Sequence, residues 1–177
     1  MVNGSVKQKP QLSILWLDDR PMLITHHVMF LQKLGFQVIV ATSTGEALHH
    51  VEHHEFDVII SDLYMPPPDG ASFLRQASRI QPNAVYIIVS GYLYIDIYRD
   101  LLEELRESEI CVRAIKKPIA INVLVNVLLD SLVNVIPRIQ KERKTLWCHF
   151  VEALEIKPGA FGVSINLKKL LGITKKK

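Results

Sequence analysis

Five short apolar runs, each followed by a polar residue and then by a helix-like segment, constrain this chain more than any other feature. Leu12 to Leu17 reads as a first buried strand and runs into Asp18-Asp19. Phe36 to Ala41, Phe56 to Ile60, Ala84 to Val89 and Ile110 to Ile115 are the other four. Continuous apolar runs of this length suit strands covered on both faces. Pro21 suits the first turn of a helix reaching Leu34, with Leu23, Phe30, Leu31 and Leu34 inward and Gly35 closing it. Ser43 or Thr44 caps a second helix that turns Ala47, Leu48 and Val51 toward the sheet. Three more helices are expected, from about Ala71 to Ile80, from about Tyr94 to Glu107, and from near Ile119. The alternation predicts an α/β fold, a doubly wound five-stranded parallel sheet with helices on both faces.

Open sheets of this kind gather ligand chemistry at the carboxyl ends of their strands. Asp18, Asp19, Asp62, Ser90 and Lys117 all fall there. Alone, Asp62 before the stiff loop Tyr64-Met65-Pro66-Pro67-Pro68-Asp69-Gly70 reads most simply as a loop cap. Five polar residues on one rim favour a functional reading instead. Three clustered carboxylates repel one another unless a cation joins them, and a hard ion with oxygen ligands is the natural partner. Mg²⁺ suits best, since it takes few carboxylates together with phosphate oxygens and water. Asp62 is then placed to attack a phosphoryl group, with Lys117 neutralising it and the Ser90 hydroxyl bonding one of its oxygens. The chain has no Gly-rich phosphate loop and no dinucleotide fingerprint, so no bound nucleotide is expected.

From about Leu12 to Ile136 the chain resembles the receiver domain of two-component response regulators. The resemblance rests on Asp18-Asp19, on Asp62 with Met65-Pro66 and Asp69-Gly70, on Ser90-Gly91 and on Lys117-Pro118. It implies a flavodoxin-like strand order, 2-1-3-4-5. It also implies that Asp62 accepts phosphate from a histidine kinase or phosphotransfer protein, with no enzymatic activity beyond self-catalysed phosphotransfer and dephosphorylation. Asp19, Asp62 and the Tyr64 backbone carbonyl would hold Mg²⁺, and Asp18 would act mainly through water. Phosphorylation would draw Ser90 inward and remodel the surface around the fourth helix and fifth strand.

Two departures from the family pattern stand out. Ala114 occupies the place where the family usually has Tyr or Phe as a rotamer switch, and Glu103 to Glu109 fill a stretch where a Gly-Ala pair is common. Tyr64 and Tyr92 lie two residues beyond Asp62 and Ser90, positions that flank the phosphoryl group in this family. Either the two rings hinder hydrolytic water or they simply pack on the rim.

With 49% hydrophobic and 22% charged residues the composition is globular, and the 2 cysteines, Cys111 and Cys148, form no framework. Residues 1–11 read as a flexible polar start without an apolar signal core, so a cytoplasmic location is expected. Residues 12–137 read as the receiver domain and carry most of the acidic charge. Residues 1–137 hold 11 Lys/Arg against 15 Asp/Glu, whereas the extension 138–177 holds 10 against 3.

In the fifth helix Asn122, Asn126, Asp130 and Asn134 form one narrow polar stripe on an otherwise apolar surface. The polar side chains argue against a membrane span, so the tail or a second subunit is expected to cover it. The extension is expected to be small and mainly helical, with Leu146, Trp147, Phe150, Val151 and Leu154 at helical spacing before Lys157-Pro158-Gly159. It serves packing, homodimerisation or output. A DNA-binding regulator using the basic tail is one rival reading. Another is a phosphohydrolase of the haloacid dehalogenase type, whose D-x-D nucleophile motif is missing here. His49/His53 and His50/His54 share helix faces, but no third metal ligand is evident and a solvated face is expected.

Overall fold

A computed structural model describes residues 12–91 and 96–135. The expectations for residues 1–11, for Tyr92 and Tyr94, and for the extension 138–177 lie outside the described residues. Within them the chain alternates strand and helix: β1 Ser13–Leu17, α1 Pro21–Lys33, β2 Gln37–Ala41, α2 Thr44–His53, β3 Val58–Asp62, α3 Gly70–Ile80, β4 Val85–Ser90, α4 Asp96–Glu107, β5 Val112–Lys116 and α5 Ile121–Val135. The strands form one sheet in the order β2-β1-β3-β4-β5, every pair parallel. This is the doubly wound sheet expected from the alternation.

Successive strand residues point to opposite faces, so each strand feeds two cores. Ile14, Trp16, Val58, Ile60, Ile87 and Val89 pack with Ile24 and Leu31 of α1 and with Leu124 and Leu128 of α5. Leu15, Leu17, Ile59, Tyr86 and Ile88 pack on the other face with Val51, Phe73, Leu74, Leu101 and Leu105 from α2, α3 and α4. α5 thus buries a stripe of its apolar surface on the sheet. Val123 stays 41% exposed, and Asp130 pairs with Arg113 of β5 at 3.7 Å.

One residue of α1 departs from its expected setting, while Phe30, Leu31 and Leu34 pack inward as expected. Leu23 is exposed, and the inward stripe runs through Ile24, His27, Val28 and Leu31. A helix turns by about 100° per residue, so a stripe that takes Ile24 inward leaves its neighbour Leu23 on the solvent side. The inward slot that an apolar count overlooks belongs to His27. Its Nε2 lies 2.9 Å from the carbonyl oxygen of Ile119, and its ring stands 6.0 Å from that of Trp16.

Two helices end alike with different residues. At α1, Gly35 takes φ 92° while its N–H donates to Gln32 and the Phe36 N–H donates to Leu31. At α4, Glu109 takes φ 58°, its N–H donates to Arg106, and the Ile110 N–H donates to Leu105. Both are left-handed helix stops of the kind glycine favours. At the amino end of the sheet, Gln81 joins three segments. Its amide accepts from the Phe56 N–H at 2.9 Å and donates to the carbonyls of Val51 and His54 at 2.8 and 2.6 Å. Its own carbonyl accepts the Tyr86 hydroxyl at 2.8 Å. Burial pushes that phenol above the ordinary tyrosine range.

Candidate functional site

The carboxyl ends of β1, β3, β4 and β5 meet at one rim, and the ladders fix their heights. Asp62 is the last residue of β3, paired with Val89, and Ser90 is the last of β4, paired with Lys116. The Lys117 N–H then donates to the Ser90 carbonyl at 2.9 Å, which holds the lysine one residue beyond the strand. On the other side the Asp18 N–H donates to the Ala41 carbonyl at 3.1 Å. Strand pairing thus places these backbones before any side chain acts.

The loop after β3 is held just as closely. Asp69 caps α3 by accepting the Ser72 N–H at 2.9 Å, and the Thr44 hydroxyl donates to the Pro68 carbonyl at 2.5 Å. Gly70 lies against the end of β3, where a Cβ would overlap the Asp62 carbonyl oxygen and stand 2.8 Å from the Ser61 hydroxyl.

Asp18, Asp19 and Asp62 each bring a carboxylate oxygen within 4.8 Å of the others, the only such group of possible metal ligands among the described residues. Asp18 and Asp62 are fully buried. Lys117 Nζ lies between them, 2.6 Å from Asp62 Oδ2 and 3.1 Å from Asp18 Oδ2. The Tyr64 N–H donates to Asp62 Oδ1 at 3.0 Å, so both oxygens of that carboxylate are engaged. Asp19 differs, because its Oδ1 is buried yet accepts no hydrogen bond. Two buried acids and a buried acid oxygen that accepts no hydrogen bond form, in one cleft, a donor set that fits a small divalent ion.

The structure gathers Asp18, Asp19, Asp62 and Lys117, and it buries Ser90 at the adjoining strand end. Tyr64 is 66% exposed. Ala114 is exposed on β5, paired with Ile88. The His49 and His53 rings are 4.3 Å apart, and His53 Nδ1 is 2.7 Å from the His49 carbonyl oxygen; no third ligand joins them among the described residues. Sequence reasoning missed Arg20. Its Nη2 lies 3.7 Å from Asp62 Oδ2 and its Nε 3.5 Å from Asp19 Oδ1. A cation directly after Asp18-Asp19 was the available signal.

The family model for the response regulator receiver domain matches residues 14–129, well over half of the chain. The chain belongs to the response regulator receiver family. Among solved structures, this receiver is similar to a CheY-like receiver domain protein from Methanospirillum hungatei, with TM-score 0.65 and 22% identity over 73% of this chain and 99% of that one. It is also similar to the receiver domain of the hybrid histidine kinase CckA, with TM-score 0.56 and 27% identity over 68% and 98% of the two chains.

Among curated proteins it is 35% identical over 71 residues to the probable C4-dicarboxylate response regulator DctR of Halalkalibacterium halodurans. It is 35% identical over 82 residues to the sensor kinase CckA of Brucella abortus. The matches span 39% and 45% of this chain but only 31% and 9% of those relatives. The shared part is the receiver, a phosphoaccepting module of two-component signalling. No helix among the described residues is long and apolar enough to cross a membrane.

Proposed function

We propose that Asp62 is the phosphoacceptor of this receiver and that Lys117 and Ser90 position the incoming group. The observation that carries the reading is Lys117 Nζ at 2.6 Å from Asp62 Oδ2, inside a cleft whose other walls are Asp18 and Asp19. The Asp62 oxygen attacks phosphorus of a donor phosphohistidine, the P–N bond breaks, and the imidazole nitrogen leaves with its bonding pair and takes up a proton. Lys117 shifts from carboxylate to phosphoryl oxygen as charge moves outward, and the Ser90 hydroxyl receives another phosphoryl oxygen. The Tyr64 N–H holds the carboxylate in place while this happens. Asp19, Asp62 and the Tyr64 carbonyl would hold Mg²⁺, with Asp18 reaching it mainly through water. When bound, the ion supplies charge neutralisation between the phosphoryl group and the carboxylates.

The partner is a histidine kinase or phosphotransfer protein, and the working place is the cytoplasm. Residues 12–137 act as the switch. Residues 138–177 form its extension, which covers or dimerises through α5, and the exposed edge of that helix at Val123 supports such a cover. The test is intact mass after incubation with Mg²⁺ and acetyl phosphate. A single phosphoryl adduct on the wild type and none on Asp62→Asn is expected; an adduct of equal yield on both proteins would refute the assignment.

A further inference from the structure

Among the described residues, Arg20 is the one charged residue at the rim that local structure does not explain. It occupies the N-cap of α1, yet its side chain makes no cap bond. Ser, Thr, Asp or Asn would serve that position better, and a positive charge is unfavourable at the amino end of a helix. The side chain turns instead over the acidic cleft, within ion-pair distance of both Asp19 and Asp62. Both separations, 3.5 and 3.7 Å, exceed those of the Lys117 pairs, and the side chain is 56% exposed. A guanidinium held this loosely can leave. The Arg20 N–H donates separately to Asp18 Oδ1 at 2.9 Å, so the main chain keeps its place whatever the side chain does.

We propose that Arg20 is a built-in competitor of the divalent ion, resting on the reading of this cleft as the receiver's metal site. Among the described residues three carboxylates face two cations, Lys117 and Arg20, so their sum leaves one uncompensated negative charge. Without Arg20 the cleft would keep two and attract a dication more strongly. Arg20 Nε lies 3.5 Å from Asp19 Oδ1, the buried oxygen that accepts no hydrogen bond and that an ion would use. Loading the site therefore requires the guanidinium to withdraw. Arg20 thereby raises the Mg²⁺ concentration at which the receiver becomes competent.

Calorimetric titration of Mg²⁺ into the full chain tests this with wild type, Arg20→Ala, Arg20→Gln and Asp62→Asn. Both Arg20 variants are expected to bind about three- to tenfold more tightly than wild type, the size expected from losing two loose ion pairs. Added KCl should narrow the gap, because exposed charges are screened. Equal or weaker affinity in the folded Arg20 variants, beside a wild type that binds Mg²⁺ through Asp62, overturns the proposal and leaves the metal site standing. Absence of Mg²⁺ uptake by wild type and variants alike overturns both.

Discussion

Gly70 touches the carbonyl of Asp62 so closely that no side chain fits between them. The first residue of α3 is therefore part of the wall behind the proposed phosphoacceptor. Gly70→Ala would force apart the end of β3 and the start of α3, at a cost on the order of 1–3 kcal/mol from overpacking. A lowered thermal midpoint together with a reduced acetyl phosphate adduct is expected. Unchanged values for both would mean that the loop relaxes freely.

Glu109 is the opposite case, a side chain where glycine would serve better. Its φ of 58° puts an L residue in the left-handed region at the end of α4. Glu109→Gly should stabilise the fold by about 0.5–1 kcal/mol, the strain relieved minus the entropy glycine adds to the unfolded chain. Thermal denaturation checks it, and a midpoint that falls would show that the Glu109 side chain is held by contacts of its own.

Glu46 gives the start of α2 a pH dependence. Its Oε2 accepts the Thr42 N–H at 2.7 Å and the Thr42 hydroxyl at 3.0 Å, while Ser43 accepts the Glu46 N–H at 3.2 Å. The Thr42 N–H is the main reason its carboxyl sits below the ordinary value of 4.5. A depressed acid contributes stability that is fully present above its unfolded value and is lost as pH falls through its folded value. Glu46→Gln should therefore lower the urea midpoint slightly at neutral pH and make no difference well below pH 4.5. A gap that persisted in acid would point to packing, not charge.

Met22, 86% exposed, and Leu23, 63% exposed, stand on the first turn of α1 beside the rim. Exposed apolar side chains next to a reactive cleft suit a protein donor that must dock before it transfers. Met22→Asp is expected to slow phosphotransfer from a phosphorylated histidine kinase severalfold while leaving acetyl phosphate labelling unchanged. Equal slowing with both donors would place the defect in the site itself.

The layers and the acidic rim were legible from sequence because each leaves a local mark. Apolar runs report strands covered on both faces, and several polar residues following such runs converge on one rim, which capping alone does not explain. What depends on neighbours was harder to read. The third run stops at Ile60 in the sequence, yet β3 continues through Ser61 and Asp62 because β4 offers partners to both. His27 faces inward because Ile119, 92 positions along the chain, presents a carbonyl to it. Arg20 was overlooked because its one sequence signal, a cation directly after two acids, is weak until Asp62 is brought beside it.

Gln81 lies at the opposite pole of the sheet from Asp62, where it ties the segments entering β3 and β4 through side-chain bonds that involve none of the rim residues. One pole is thus a fastening and the other a workplace. Variation at the rim can retune partner choice and signal lifetime without loosening the fastening, a division of labour that lets one scaffold be reassigned to new circuits while it goes on folding in the same way.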